Sequence, residues 1–289
     1  MSHRPVALVT SNDPRYVDPE VGEIAHALVG GDLAAEVVAW DDELDWAAYR
    51  LVVVRSPWDY FDRVVEFCDW ATRVDRVTRL VNPADVLRWN SHKGYLVELG
   101  ARGVPTIPTR LVPAASVDVV QQLDECPWDE VVVKPAVDGG ARQTRRGLRA
   151  DPLVGEYAQA LASSGDVIVQ PFAPAISAGE RSLVFLDGAF SHGVRKIPAE
   201  GDYRTQYFYG GSEVAHEPDS AEVQVALAAI AAAPGRLTYA RVDLVDWEGV
   251  PSLIELEAID PDLFLRGDAG RMDRLVRAIR SELDRSDGA

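Results

Sequence analysis

The stretch from Tyr239 to Asp260, YARVDLVDWEGVPSLIELEAID, constrains this chain more than any other. Val242 and Leu244 alternate with Arg241 and Asp243, and Ile254 and Leu256 alternate with Glu255 and Glu257. A period of two puts neighbouring side chains on opposite faces of a strand. Glu248-Gly249 sits between the two runs as a turn, so the segment folds as a hairpin with Asp243 roughly opposite Glu255. Like charges facing each other across a sheet are destabilising. A face carrying Asp243, Glu255 and Glu257 therefore asks for a cation. Magnesium fits: it is hard, oxygen-seeking, and held by one or two carboxylates plus substrate phosphates. On spacing alone, a solvated acidic face is the plain alternative.

That alternative has force because the whole chain is acidic, with 29 basic and 46 acidic residues and a net charge of −17. Such a balance argues against nucleic-acid binding, which needs a basic stripe. It also means that an anionic ligand must find a local basic pocket. Two segments qualify. In VVVKPAVDGGARQTRRG, an apolar strand ends at Lys134 and glycines follow at Gly139 and Gly140. Glycines let backbone N–H groups approach phosphate oxygens. The GK[ST] ending of a Walker loop is missing, and a plain hairpin turn is the alternative reading. In GVRKIPAEGDYRTQYFYGG, Lys196 and Arg204 lie in a long loop with Tyr203, Tyr207 and Tyr209. Two cations there can clamp a transferring phosphoryl group, and long loops of this kind are often lids. Surface charge on a loop is the competing reading.

At 289 residues and 47% hydrophobic content, the chain has material for two to three packed units. The boundaries expected are residues 1–84, 85–170 and 171–289. The first unit alternates strands (Val6 to Thr10, Glu36 to Trp40, Leu51 to Val54, Leu80-Val81) with helical stripes (Val21, Ile24, Ala25, Leu28; Val64, Cys68, Ala71, Val74). That alternation implies a parallel, Rossmann-like layer. In the second unit, helices are expected over Ser91 to Arg102, Ala115 to Leu123 and Leu153 to Ala162, with strands at Thr109 to Val112, Glu130 to Lys134, Thr144 to Leu148 and Asp166 to Gln170. The third holds two hairpins, the first turning at Asp187-Gly188. A helix marked by Val223, Leu227 and Ile230 and a C-terminal amphipathic helix through Met272, Leu275, Val276, Ile279 and Leu283 flank them. The two cysteines, Cys68 and Cys126, suit neither a disulfide framework nor a zinc pattern. The apolar run at the start breaks at Ser11 to Pro14, too short for a signal or a span, so a cytoplasmic protein without membrane contact is expected.

Taken in order, these elements resemble the ATP-grasp superfamily, in its glutathione-synthetase-like and RimK-like branch. The resemblance runs from about Asn82 to Leu265 and implies an ATP-grasp fold of α/β and α+β parts, with a Rossmann-like domain in front. It implies ATP and Mg2+ as cofactors. The family's phosphate-contacting lysines match Lys93, in NPADVLRWNSHK, and Lys134; its covering loop matches Asp138 to Arg142, with Gly139 and Gly140. Its adenine hinge matches VIVQPF, that is Gln170, Pro171 and Phe172. Proline has no N–H, so Phe172 is the expected donor to the base. Its ribose-holding acid matches Glu180, its basic clamp Lys196 and Arg204, and its metal ligands Asp243, Glu255 and Glu257. The commoner pattern has Asn where Glu257 stands, and Ser182 stands where glutathione synthetases carry arginine, which argues against glutathione precursors as substrates.

The segments VVVRSPWDYFDR, LRWNSHKGYL and LIELEAIDPDLFL look like a small subgroup that includes the D-cycloserine ring-closing synthetase of antibiotic producers. That enzyme type cyclises O-ureido-serine with ATP. Arg55, Ser56, Trp58 and Asp59 close a parallel strand at the end where ligands bind in open α/β sheets. They are the candidates for recognising an amino-acid-like small molecule, with packing at a domain interface as the alternative for Trp58 and Tyr60. The implied reaction is phosphorylation of a carboxyl or carbonyl oxygen followed by attack of a nitrogen. It runs either between two molecules or as ring closure within one, in a monomer or homodimer. A nucleotide-binding regulator without turnover and a two-lobed binding protein are the readings outside ligase chemistry.

Overall fold

The computed structural model describes residues 4–30 and 33–286. Strand β1 (Val6–Thr10), helix α1 (Val21–Gly30), β2 (Ala35–Ala39), β3 (Leu51–Ser56), α2 (Val64–Asp75) and β4 (Leu80–Val81) form the first layer. Their sheet runs β2-β1-β3-β4 with every pairing parallel. β3 is buried along its whole length, because α1 covers one face and α2 the other; an all-parallel sheet needs both faces covered.

Next come α3 (Ala84–Asn90), α4 (Tyr95–Ala101), β5 (Arg110–Val112), α5 (Val119–Asp124), β6 (Glu130–Pro135), β7 (Arg145–Leu148), α6 (Pro152–Ala162) and β8 (Val167–Pro171). The last four strands named make an antiparallel sheet, β5-β8-β6-β7, packed against α5 and α6. The third sheet has order β11-β10-β9-β12-β13, from β9 (Glu180–Leu186), β10 (Ala189–Ile197), β11 (Ser212–His216), β12 (Tyr239–Trp247) and β13 (Val250–Glu257). Helices α7 (Ser220–Ala231) and α8 (Ala269–Ser286) complete the chain. Both hairpin turns place two consecutive residues at positive φ, Asp187 at 53° with Gly188 at 79°, and Glu248 at 52° with Gly249 at 82°. This is the geometry whose twist matches the flanking strands.

Four expectations need correction. The helix expected over Ser91 to Arg102 begins only at Tyr95, as α4, because residues 91–94 break away from both α3 and α4. The Lys93 amide leaves the helical ladder to donate to the Ala136 carbonyl at 2.7 Å, and the Gly94 amide donates to His92 Nδ1 at 3.1 Å. The helix expected from Ala115 starts only at Val119, because Ala115 sits at φ 58° and its amide donates to Ala162 instead. In α7 the buried face is Val225, Ala226 and Ala229, while Leu227 faces outward. Strand β11 was not anticipated; its residues are mostly exposed, so it shows no alternation to read.

Candidate active site

The site lies where the second and third sheets face each other. It is lined by Lys93, Lys134, Asp138 and Gly140, by Gln170 to Ala173 and Glu180, by Tyr203 to Gln206, and by Ile254 and Glu255. Lys134 arrives at the end of β6, and Lys93 at the break between α3 and α4. The chain segments that supply them are far apart in sequence and meet at Glu255: Lys93 Nζ is 3.2 Å from its Oε1. Lys93 Nζ also donates to the Asp138 carbonyl at 2.5 Å. The Lys134 ammonium makes no hydrogen bond or ion pair among the described residues, although its backbone is in the β6 ladder. Burial pushes its pKa down to about 8, Glu255 opposing and Lys93 adding to the fall.

The late hairpin has the expected register, Asp243 opposite Glu255 and Arg241 opposite Glu257, with a bulge after Asp243. Oxygen atoms of Asp243, Glu255 and Glu257 lie within 4.8 Å of one another. Cations hold this cluster together. Asp243 Oδ1 accepts from Ser182 Oγ at 2.6 Å and Arg241 Nε at 3.0 Å, while its Oδ2 accepts from Lys196 Nζ at 3.1 Å. Arg241 Nη2 donates to Glu257 at 2.5 Å. Burial alone would push Asp243 and Glu255 up. Arg241 and Lys196 hold Asp243 well below the usual carboxylate range, and Lys93 and Lys134 hold Glu255 below it. Glu257 is different: burial takes it up to about 8 despite Arg241. Burial likewise raises Asp260, just beyond, to about 7.

The structure does not gather every expected residue in the same way. Lys196 is buried between Glu180 and Asp243, whereas Arg204 is held by Asp202 at 2.7 Å and lies 3.6 Å from the Tyr209 ring centroid. They are not a side-by-side clamp. Gly140 lines the cavity, while Gly139 packs against Phe61. Gln170 is buried and donates to Thr109 Oγ1 at 2.9 Å. The Phe172 amide is already engaged, donating to the Glu130 carbonyl at 3.0 Å, so it is not the free hinge donor expected. The next residue, Ala173, lines the cavity, and its amide has no acceptor among the described residues. The four residues closing β3 are largely enclosed. Arg55 donates to the Pro261 carbonyl at 3.2 Å and lies 3.9 and 3.8 Å from Asp18 and Glu20. Ser56 bonds Thr10 at 3.1 Å, and Asp59 accepts from Trp40 Nε1 at 2.8 Å and from Arg63. Trp58 is partly open and reaches the Asp260 carbonyl at 3.5 Å.

Sequence reasoning missed Arg241, Asp260 and Ala173. Arg241 shares the polar face of β12 with Asp243, so period two did contain that signal. No pattern marks Asp260 or the Ala173 amide.

The comparisons with known proteins divide along the same lines. Residues 6–82 match the family described as D-cycloserine synthetase DcsG, N-terminal domain, and residues 103–246 match the prokaryotic glutathione synthetase ATP-grasp domain. The chain is 33% identical over 298 residues to the cycloserine biosynthesis protein DcsG of Streptomyces lavendulae, covering 96% of this chain and 98% of that one. It is 27% identical over 171 residues to a glutathione synthetase of Prochlorococcus marinus, covering 58% and 53%. The crystal structure of D-cycloserine synthetase DcsG superposes with a TM-score of 0.84 at 30% identity, over 96% of this chain and 99% of that one. A D-alanine–D-alanine ligase from Bacillus anthracis shares the fold, with a TM-score of 0.70 at 12% identity over 98% of each chain.

Proposed function

This chain belongs to the ATP-grasp family, and from that membership we propose that it closes a ring within a ureido amino acid of the O-ureido-serine type. It is an ATP-dependent ligase that forms a C–N bond. The observation that carries the ring-closing reading is the match of residues 6–82 to the D-cycloserine synthetase N-terminal domain, beside the ATP-grasp match over residues 103–246. Ligation of two separate molecules is the neighbouring reading, favoured by the glutathione synthetase match alone.

The residues fit Mg-ATP. The carboxylate cluster supplies oxygen ligands only, and its atoms are close enough for one ion. Asp243, Glu255 and Glu257 would hold magnesium, which neutralises phosphate charge when bound. Lys93 and Lys134 would then face the phosphates, with Lys134 bringing an ammonium not already spent on a partner. Glu180 would meet the ribose and the Ala173 amide the base edge. Arg204, on the Tyr203 to Gln206 segment, would leave Asp202 to orient the transferring phosphoryl group, a step that rests mainly on positioning and electrostatics. Transfer to the substrate carboxyl oxygen gives an acyl phosphate; the substrate's own nitrogen attacks the acyl carbon and phosphate leaves. The Tyr203 to Gln206 segment would exclude water, which competes for the same carbon. A cytoplasmic location and a place in antibiotic biosynthesis belong to this reading.

The test is turnover with ATP, magnesium and O-ureido-D-serine, following ADP, phosphate and product mass. Ring closure predicts one organic substrate consumed per ADP and a cyclic product. Asp243→Asn and Glu255→Gln should lose turnover while melting as the wild type does. A product mass that combines two substrates, or full activity in both variants, would overturn the reading.

A further inference from the structure

The glycine loop does not end its contacts at the nucleotide cavity. Asp138 curls it inward: its carboxylate accepts from the Gly139 amide at 2.9 Å, from Arg142 Nη2 at 2.8 Å and from the Gln143 amide at 3.3 Å. Gly140 and Ala141, both at positive φ (64° and 54°), turn the chain. Arg142 then points away from the cavity. Its guanidinium lies 4.0 Å from the Phe61 ring centroid and donates to Tyr16 Oη at 3.2 Å and to Asp62 at 3.5 Å. Tyr16 and Phe61 meet edge to face at 5.9 Å. Phe61 also closes on Gly139, where an added Cβ would come within 3.2 Å of the ring.

These partners come from one place in the fold. Tyr16 lies on the segment after β1, and Phe61 and Asp62 lie on the segment after β3, directly beyond Trp58 and Asp59. Segments at the C-terminal ends of parallel strands are where open α/β sheets bind ligands. One side chain therefore joins the loop over the phosphates to the loops beside the substrate.

We propose that Arg142 is a positioning residue that latches the glycine loop to the substrate loops, so that the nucleotide is covered only when the substrate side is in order. The proposal rests on the functional reading above for its substrate arm. Without the latch, water reaches the γ-phosphorus or the acyl phosphate. ATP and water then give ADP and phosphate while the organic substrate is recovered unchanged.

Hydrogen exchange in residues 138–144, measured with magnesium and a non-hydrolysable ATP analogue, reads the latch without any substrate. Arg142→Ala and Phe61→Ala should each exchange there about tenfold faster than wild type, from loss of the cation–π contact and its hydrogen bonds. Arg142→Lys should fall between, since it keeps charge but not the planar stack. With O-ureido-D-serine, phosphate released per product should rise in the same order, with kcat for product falling more than the KM for ATP changes. Wild-type exchange and a wild-type phosphate-to-product ratio in Arg142→Ala would overturn the latch. If the wild type forms no product from this probe, the substrate reading fails and the exchange arm alone decides the latch.

Discussion

The proposed role of Lys134 at the ATP phosphates requires charge where its surroundings work against charge. Burial brings its pKa down to about 8, with Lys93 adding to the fall and Glu255 offsetting part of it. The sign is direct: below about 8 the free enzyme offers an ammonium to phosphate, and above it the group is neutral. The value of kcat/KM for ATP reports the free enzyme, so it should decline as pH rises through 8. Lys134→Arg stays charged and should move that decline upward. Lys134→Ala should raise the KM for ATP roughly tenfold to a hundredfold, the worth of one charge-assisted contact. A Lys134→Ala enzyme that saturates normally with ATP would remove this residue from the site. The same scale explains the hinge. Sequence alone eliminated Pro171 for lack of an N–H and passed the role to Phe172, but Phe172 spends its amide on Glu130 across the β6 and β8 pairing.

At the scale of elements, the late hairpin was the most legible part of the chain. Its two-residue period, its Glu248-Gly249 turn and its facing acids fix a register that the structure keeps at Asp243 and Glu255. Less was legible where a distant partner decides the local form. Lys93 falls in the break between α3 and α4 because Ala136 takes its amide, and no pattern in residues 91–102 records that. Strand β11 forms by pairing with β10 at the sheet edge, with too little burial to imprint alternation. The neighbouring strand β10 carries His192, which is 8% exposed and donates from Nε2 to the Leu263 carbonyl at 2.8 Å. Burial, with Arg271 and Arg274 nearby, lowers its pKa from 6.5 to about 4 against that hydrogen bond. The native ring is thus neutral where the unfolded ring takes up a proton. Stability from this group is complete above pH 6.5 and is lost as pH falls towards 4. The loss should be about 1–3 kcal/mol. Thermal unfolding near neutrality and near pH 5 checks it: His192→Gln should show a flatter pH dependence than wild type, and an identical dependence would exclude His192 as the cause.

At the scale of the molecule, the three sheets are not beads on a string. Val6, Leu8, Ile24 and Val53 of the first layer share one core with Val184, Val194 and Tyr239 of the third sheet and with Leu275, Ile279 and Leu283 of α8. Tyr239 Oη donates to the Val54 carbonyl and lies 3.1 Å from the Ile259 carbonyl, which ties the late hairpin to β3. The second sheet has its own core with α5 and α6. A shared core under the loops proposed for substrate and the hairpin proposed for magnesium gives them a fixed relation, and the glycine loop belongs to the second sheet. Sequence patterns reported each layer's period but not which layers would fuse, because shared burial leaves the same apolar stripe as separate burial. The arrangement makes one demand above all, that Lys93, Lys134 and the carboxylates of β12 and β13 serve a single nucleotide. A crystal structure with ADP and magnesium tests it most directly. It should place both lysine Nζ atoms within hydrogen-bonding distance of phosphate oxygens and one metal ion between those phosphates and Asp243 and Glu255. Nucleotide bound elsewhere, or a metal ion seated away from these carboxylates, would contradict the account.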